Sequence, residues 1–159
     1  MNAYLYLGQY DKFLRSLPLR DSAYVFFYRG LGAYYMGHRD QALQYFDRAY
    51  LLDSSMLTAR VGRALSDAEA GRRAAGIEFL RQTQDEMEKR GVGDAEQMYK
   101  VAQAYAVLGD KSSLLHMLRH TIEGGFFCYP CLVSDPLLSA LHNEPELPDR
   151  RSSRKARTI

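Results

Sequence analysis

The sequence predicts an all-α fold, a right-handed superhelical solenoid built from antiparallel helix pairs. A glycine returns between apolar helical runs at nearly constant spacing, at Gly8, Gly37, Gly71 and Gly109. A step of roughly 34 residues is the length of one helix–turn–helix repeat unit. The composition agrees, because 47% hydrophobic residues, with 12% aromatic residues, suffice for a packed helical core.

The first element is a partial repeat in residues 1–20. Tyr4, Leu7 and Phe13 fit the end of one helix followed by a second helix, with Gly8 at the turn. A solenoid that opens in mid-repeat exposes an apolar face, because each repeat buries its core against its neighbours. We therefore expect the chain to be a fragment of a longer protein or to be capped by another component.

The next element, residues 22–55, is the most complete helix pair. Gly30, Ala42 and Ala49 are small residues at helix-facing positions, and Phe46 is the large one. Two helices approach closely only where facing side chains are small, and a ring then fills the remaining gap. The glycine between the two helices supplies the left-handed backbone conformation that ends the first of them.

This order of small, small, large and small residues resembles the tetratricopeptide repeat (TPR). Two weaker copies follow, at about residues 56–90 and 94–124. The first keeps Gly76 and Leu80 at the small and large positions, and the second has an apolar first helix that includes Tyr105. Charged residues interrupt the first helix of the 56–90 copy; they are Arg60, Arg63 and Asp67.

The last element is predicted to be a pair of capping helices at residues 127–145. The string Gly-Gly-Phe-Phe-Cys-Tyr-Pro at the start of this region resembles the end of TPR arrays in bacterial signalling proteins, notably serine/threonine kinases and winged-helix transcriptional regulators. Ser134 or Asp135 is expected to N-cap the last helix, with Pro136 in its first turn.

The predicted TPR domain covers residues 1–148, and a basic, disordered tail follows at residues 149–159. The formal net charge is only +2, and the positive surplus lies in this tail. Nucleic-acid binding is not expected, with the tail as a weak exception. The sequence has neither a run of ~20 apolar residues that could cross a bilayer nor a signal-peptide pattern. We expect a cytoplasmic protein without membrane insertion.

Cys128-Tyr129-Pro130-Cys131 is the one motif with active-site spacing. A redox site of the thioredoxin type needs a preceding strand, which the pattern does not predict. A zinc site needs further ligands, for which the candidates are His116, His120 and His142. We interpret both cysteines as reduced, buried residues of the cap. Reversible disulfide formation and metal binding remain as alternatives.

Other signatures of catalysis are missing from the sequence. Gly30-Leu31-Gly32 lies inside a helical pattern and follows no strand, so it is not a phosphate-binding loop. A Ser/His/Asp or Cys/His set cannot be assembled from the sequence pattern. We therefore expect a protein that is not an enzyme, with no cofactor and no metal ion.

The first helices of the repeats are expected to line a concave groove that binds a partner. Tyrosines supply large, stiff contact area with a polar tip, and Tyr28 and Tyr35 are expected to be the most exposed rings. Packing of any one ring against the neighbouring repeat is the alternative. TPRs that grip a C-terminal carboxylate use Lys, Asn and Arg side chains; only Lys100 would serve, so that role is disfavoured. The groove residues are Tyr24, Phe27, Tyr28, Leu31, Tyr34, Tyr35, Glu69, Glu96, Tyr99, Lys100 and Gln103.

The expected function is a non-catalytic scaffold that binds a protein or peptide and belongs to a bacterial signalling or regulatory protein. The first alternative is a homo-oligomerisation module, because an open apolar face and an aromatic groove could pair two copies as a homodimer. The second alternative is a thiol switch through Cys128 and Cys131.

Overall fold

The structure is a computed structural model, and it describes residues 2–91, 93–126 and 128–141. All regular structure in these residues is helical, which confirms the predicted all-α class. Among the described helices, none combines the length and the apolar character that crossing a bilayer requires. The helices are α1 (Ala3–Tyr6), α2 (Tyr10–Ser16), α3 (Ala23–Tyr35), α4 (Arg39–Leu52), α5 (Leu57–Glu69), α6 (Arg73–Lys89), α7 (Ala95–Leu108), α8 (Lys111–Glu123) and α9 (Tyr129–Ser134), followed by a 3₁₀-helix at Pro136–Leu141.

Consecutive helices from α3 to α8 pack in pairs. Helix α3 packs on α4, α5 on α6 and α7 on α8, while α5 also contacts both α3 and α7. The turn after α3 shows why glycine is needed there, because Gly37 has a φ of 80°. The amide of His38 donates to the carbonyl of Ala33 at 2.9 Å across this turn, which satisfies the end of α3. The predicted left-handed glycine turns are confirmed at Gly8, Gly37, Gly71 and Gly109.

The packing of the first pair depends on Phe46 of α4. Its ring is fully buried, as are the flanking Ala42 and Ala49. A Cβ atom at Gly30 would lie 2.6 Å from Phe46 Cδ1, and one at Gly62 of α5 would lie 2.8 Å from the same atom. Two glycines therefore let three helices close around one ring, which confirms the predicted roles of the small and large positions.

The charged residues of α5 have partners. Arg60 donates to Thr83 Oγ1 and to Glu86 Oε2, each at 2.8 Å. Asp67 is buried and accepts hydrogen bonds from the guanidinium of Arg72. Pairing with α6 and with the turn before it satisfies these side chains, so α5 stays in the helical array although its pattern departs from an apolar one.

The two terminal segments turn back across the helix pairs. Helix α2 packs on α3 and buries Phe13, but α1 lies beside α7, where Asn2 and Tyr6 hydrogen-bond to Glu96. The 3₁₀-helix at Pro136–Leu141 also packs against α7. Both segments thus cover the side of the molecule on which the groove was predicted.

Within the range predicted as the cap, residues 127–145, the structure places α9 and the 3₁₀-helix. Asp135 accepts a hydrogen bond from the amide of Leu137 at 2.9 Å, so Asp135 caps the last helix, with Pro136 as its first residue. The rest of the predicted cap, at 127 and 142–145, and the predicted tail at 149–159 lie outside the described residues.

Candidate functional site

We call the side of α3, α5 and α7 that carries the predicted groove residues the inner surface. Most of these residues are buried, and the prediction that they form an open groove is wrong. The buried ones are Phe27, Tyr28, Leu31, Tyr34, Tyr99, Lys100 and Gln103; Tyr24, Tyr35 and Glu96 are half-buried; only Glu69 is exposed.

Tyr28 and Tyr35, expected to be the most exposed rings, are covered by the chain itself. Tyr28 is 4% exposed and packs edge-on against Phe13 of α2, with ring centroids 5.9 Å apart. Tyr35 stacks on Tyr10 of α2, with ring centroids 5.0 Å apart and ring planes 9° apart. The reason for the difference is tertiary, because the covering rings belong to α2, outside the α3–α4 pair that carries Tyr28 and Tyr35.

The carboxylate of Asp135 is the centre of the site. Its Oδ1 accepts from the Tyr35 hydroxyl at 3.0 Å, and its Oδ2 accepts from the Tyr99 hydroxyl at 2.7 Å. The amide of Gln103 also donates to Oδ2, and the backbone amide of Leu137 donates to Oδ1. Asp135 is only 7% exposed. Its desolvation is offset by four donors, three of which belong to α3 and α7.

A second polar group lies next to it around Lys100. The Lys100 ammonium is 1% exposed and donates to the Tyr6 hydroxyl at 3.1 Å, and that hydroxyl donates to Glu96 Oε1 at 2.7 Å. Asn2 also donates to Glu96. The ammonium lies 4.7 Å from the centre of the Tyr6 ring and 5.5 Å from that of Tyr99, within cation–π range. Helix α1 is therefore held on α7 by charge-assisted contacts.

Burial sets the protonation states of these groups. It raises the pKa of the Tyr35 and Tyr99 hydroxyls well above the ordinary value, and the charge of Asp135 raises them further. The hydroxyls therefore stay protonated at neutral pH and serve as donors to the carboxylate. Burial lowers the pKa of Lys100 to about 8, although the carboxylates of Glu96 and Asp135 act in the opposite direction.

Glu69 lies at the edge of the inner surface. It accepts a hydrogen bond from the Tyr34 hydroxyl at 2.5 Å, and the Arg39 guanidinium lies 3.6 Å from the centre of the Tyr34 ring. Burial and the hydrogen bond to Glu69 raise the pKa of Tyr34. The exposed carboxylate of Glu69 therefore orients the buried Tyr34. It also pairs with Arg39, whose Nε lies 3.8 Å from Glu69 Oε1.

Cavities lie between the terminal segments and the helix pairs of the described part of the chain. One of about 330 Å³ lies between α1 and α9, beside Tyr10, Tyr35 and Asp135. Another of about 260 Å³ lies beside Asn2 and Tyr24, at the opposite end of α1. The terminal segments therefore leave some space on the inner surface unfilled.

Cys128 and Cys131 are joined by a disulfide bond, so the prediction of two reduced cysteines is wrong. Cys128 is the residue before α9 and Cys131 lies in its first turn, with their Cα atoms 5.2 Å apart. Cys131 is 2% exposed, and its carbonyl accepts from the Asp135 amide at 2.9 Å. The disulfide thus closes the turn that leads directly to the carboxylate of the site.

The two described histidine candidates lie apart from the site. His116 and His120 are exposed on α8 with ring centroids 4.5 Å apart, and His142 lies outside the described residues. Within residues 2–91, 93–126 and 128–141, His, Cys, Asp and Glu side chains form no group of three that could hold a metal ion.

Several residues of the site were not predicted from the sequence. Asn2 lies just before α1, Tyr6 belongs to α1 and Tyr10 to α2, and the sequence indicates only a capping role for Asp135. Their spacing along the chain gives no sign that they meet α3 and α7. The one available signal was Asp135 itself, an acidic residue between two short apolar runs.

Comparison with known proteins adds no relative. No model of a known protein family matches the chain. A search of curated proteins also finds no match. The class of protein is therefore defined by the fold and the site alone, an all-α chain whose inner surface is covered by its own terminal segments.

Proposed function

We propose that the chain is a TPR-type solenoid that binds protein or peptide segments on its inner surface, as a non-catalytic scaffold of a bacterial signalling protein. The observation that carries this proposal is the occupancy of that surface. It already holds two pieces of polypeptide, α1 and residues 128–141, through aromatic contacts and charge-assisted hydrogen bonds.

The nature of the buried groups supports binding more than chemistry. Tyr99 and Lys100 are at most 1% exposed, and their polar atoms are engaged by Asp135 and Tyr6. A group that acts on a substrate must reach the reacting atoms. Groups that hold a segment of polypeptide in a desolvated environment are typical of binding hot spots, in which tyrosine is enriched.

The repeated packing supports the solenoid part of the proposal. The φ values at the turns after α3, α5 and α7 are 80°, 75° and 81°, so each pair has the same glycine geometry. Helix α5 contacts both α3 and α7, as stacked repeats require. A stack of this kind presents one helix of each pair to a common face, and peptides bind to such faces.

The test is a selection of displayed random peptides against the purified full chain. Enriched peptides are resynthesised with blocked termini and titrated by calorimetry into wild type, Tyr24→Ala and Gln103→Ala. We expect both variants to weaken binding about tenfold or more, as loss of a hot-spot contact does. Leu51→Ala is the control, because Leu51 is 84% exposed on α4, outside the inner surface.

Circular dichroism of each variant must first show wild-type helicity. The proposal fails if the selection enriches no peptide, or if the enriched peptides bind equally to wild type and to both inner-surface variants. Weaker binding to Leu51→Ala alone would move the binding site to α4 and would also contradict it.

A further inference from the structure

Residues 135–141 occupy the inner surface in a regular pattern. Asp135, Leu138 and Leu141 are buried, whereas Pro136 and Ser139 are exposed. The buried residues are three apart, and a 3₁₀-helix has three residues per turn, so Leu138 and Leu141 lie on one face of this short helix, and Asp135, the residue before it, continues the same spacing. The face that meets α7 thus carries one carboxylate and two leucines.

Three of the four donors that hold the carboxylate belong to α3 and α7, and the fourth is the backbone amide of Leu137 in the segment itself. Tyr35 lies at the end of α3, while Tyr99 and Gln103 lie one turn apart on α7. Gln103 also donates to the Tyr35 hydroxyl at 2.8 Å, and this hydrogen bond links α7 to α3 without involving the carboxylate. The surface therefore contains a built site for a carboxylate, with protonated hydroxyls and an amide directed to one point.

The segment that fills this site has little intrinsic helical stability. Helix α9 and the 3₁₀-helix have six residues each, too short to be stable without tertiary contacts. The chain enters the segment through Gly124 and Gly125, both exposed, and Gly125 has a φ of 97°. Short elements of this kind open at low free energy compared with the core helices.

Resting on the proposed function, we propose that the inner surface recognises a helical turn with an aspartate followed by leucines three and six residues later, and that residues 135–141 occupy the site in cis until such a segment of a partner replaces them. The partner is a protein that presents this Asp-x-x-Leu-x-x-Leu turn. The carboxylate provides the charge that the donors of α3 and α7 require, and the leucines replace Leu138 and Leu141.

The test uses the full chain and a fluorescent peptide that has the sequence of residues 133–141 and blocked termini. Binding of the peptide is measured by fluorescence anisotropy. This peptide contains no cysteine, so the disulfide does not affect the comparison. Two variants weaken the segment in cis: Asp135→Asn removes the charge, and Leu138→Ala removes a buried leucine. We expect both to bind the peptide about tenfold more tightly than wild type does, because the competing segment is weakened.

The specificity of the site is tested with a second peptide in which the aspartate is replaced by asparagine. We expect its affinity for the Leu138→Ala chain to fall about tenfold or more, since hydrogen bonds to a charged group are lost. Adding Gln103→Ala to that chain should reduce the difference between the two peptides, because the side-chain amide that donates to the carboxylate is lost. Ser139→Ala is the matched control on the exposed face, and its affinity should equal that of wild type.

The inference is overturned if neither variant, with native helicity, binds the peptide more tightly than wild type. Equal affinities for the aspartate and asparagine peptides would also overturn it. The variants could instead form a dimer that excess peptide does not dissociate. That result would assign the site to a second copy of the chain and would overturn the inference. If selected peptides bind the inner surface without this pattern, the proposed function stands and this inference alone fails.

Discussion

At the scale of single residues, Phe46 sets the distance between three helices. Its ring lies against Gly30 of α3 and Gly62 of α5, and it is fully buried. Because glycines face the ring from two helices, it has no open side toward which it could move. Close packing of this kind makes a change of one methyl group costly.

We predict that Gly30→Ala destabilises the protein by about 2 kcal/mol, because the added Cβ would overlap the Phe46 ring. Urea unfolding followed by circular dichroism measures the change. The matched control is Gly93→Ala, where the added atom meets nothing within 4 Å. The control should change stability by about 0.5 kcal/mol or less. Equal effects of the two substitutions would contradict the packing around Phe46.

Lys100 is a buried cation whose protonation is coupled to folding. Its pKa is about 8 in the folded chain, against an ordinary value of 10.5, and burial is the main cause. Above pH 8 the folded chain releases this proton while the unfolded chain keeps it. The free energy of unfolding therefore rises with pH between 8 and about 10, and the gain is lost as the pH falls back from about 10 to 8.

The tyrosines of the site lower the free energy of unfolding at higher pH, in contrast to Lys100. Burial raises the pKa of Tyr6, Tyr35 and Tyr99 above 10, so the unfolded chain loses these protons first and stability falls above about pH 10. We predict that Lys100→Met abolishes the rise between pH 8 and 10, on the order of 2 kcal/mol, and keeps the fall above 10. Urea midpoints at half-unit pH steps test this, and a rise that persists in Lys100→Met would contradict the assignment.

At the scale of elements, α9 is held by a covalent link and a side-chain contact. The disulfide closes its first turn, and at its C-terminal end the Asp135 carboxylate accepts hydrogen bonds from Tyr35 and Tyr99. A helix of six residues has little stability of its own. The disulfide is therefore expected to limit the conformations that the segment reaches when it leaves the inner surface.

We predict that the protein purified without reductant shows no free thiol when alkylated in denaturant and analysed by mass spectrometry. After reduction by a dithiol, amide hydrogen exchange should accelerate in residues 129–138 and stay unchanged in α3–α8. The double variant Cys128→Ser/Cys131→Ser should exchange like the reduced wild type. Alkylation of Cys128 or Cys131 before reduction would contradict the disulfide.

At the scale of the whole molecule, the two terminal segments meet at one point. The Phe126 ring stacks on Tyr99 at 4.8 Å and lies edge-on to Tyr6 at 5.8 Å, between ring centroids. The segment before α9 is thus in contact with both α1 and α7. Because these contacts lie at the surface of the helix pairs, the terminal segments depend on the pairs for support.

We predict a gradient of amide exchange across the molecule. Amides of α3, α5 and α7 should exchange most slowly, because these helices carry most of the buried side chains, and amides of α9 and the 3₁₀-helix should exchange faster. Asp135→Asn should accelerate exchange in residues 128–141 at least several-fold, with Ser139→Ala as the unchanged control. Exchange of the 3₁₀-helix as slow as that of α7 would contradict a displaceable segment.

Much of the fold was predictable from local rules. The turn glycines require a left-handed backbone, and the Ala42, Phe46 and Ala49 pattern requires close helix contact, so periodicity and residue size were sufficient. The site was not predictable in this way. The helical pattern places Tyr28 and Lys100 in an open groove, but both are buried because the terminal segments cover them.

The sequence by itself determined the helices, their turns and the packing within each pair, because these depend on contacts between residues close in the chain. Only the tertiary structure decided that Tyr6 meets Glu96, that Asp135 meets Tyr35 and Tyr99, and that Cys128 is bonded to Cys131. Except for the disulfide, these contacts join residues far apart in sequence, so local pattern carries no information on them. The sequence does not decide whether the disulfide forms, because one helical turn brings two thiols together whether or not they are oxidised.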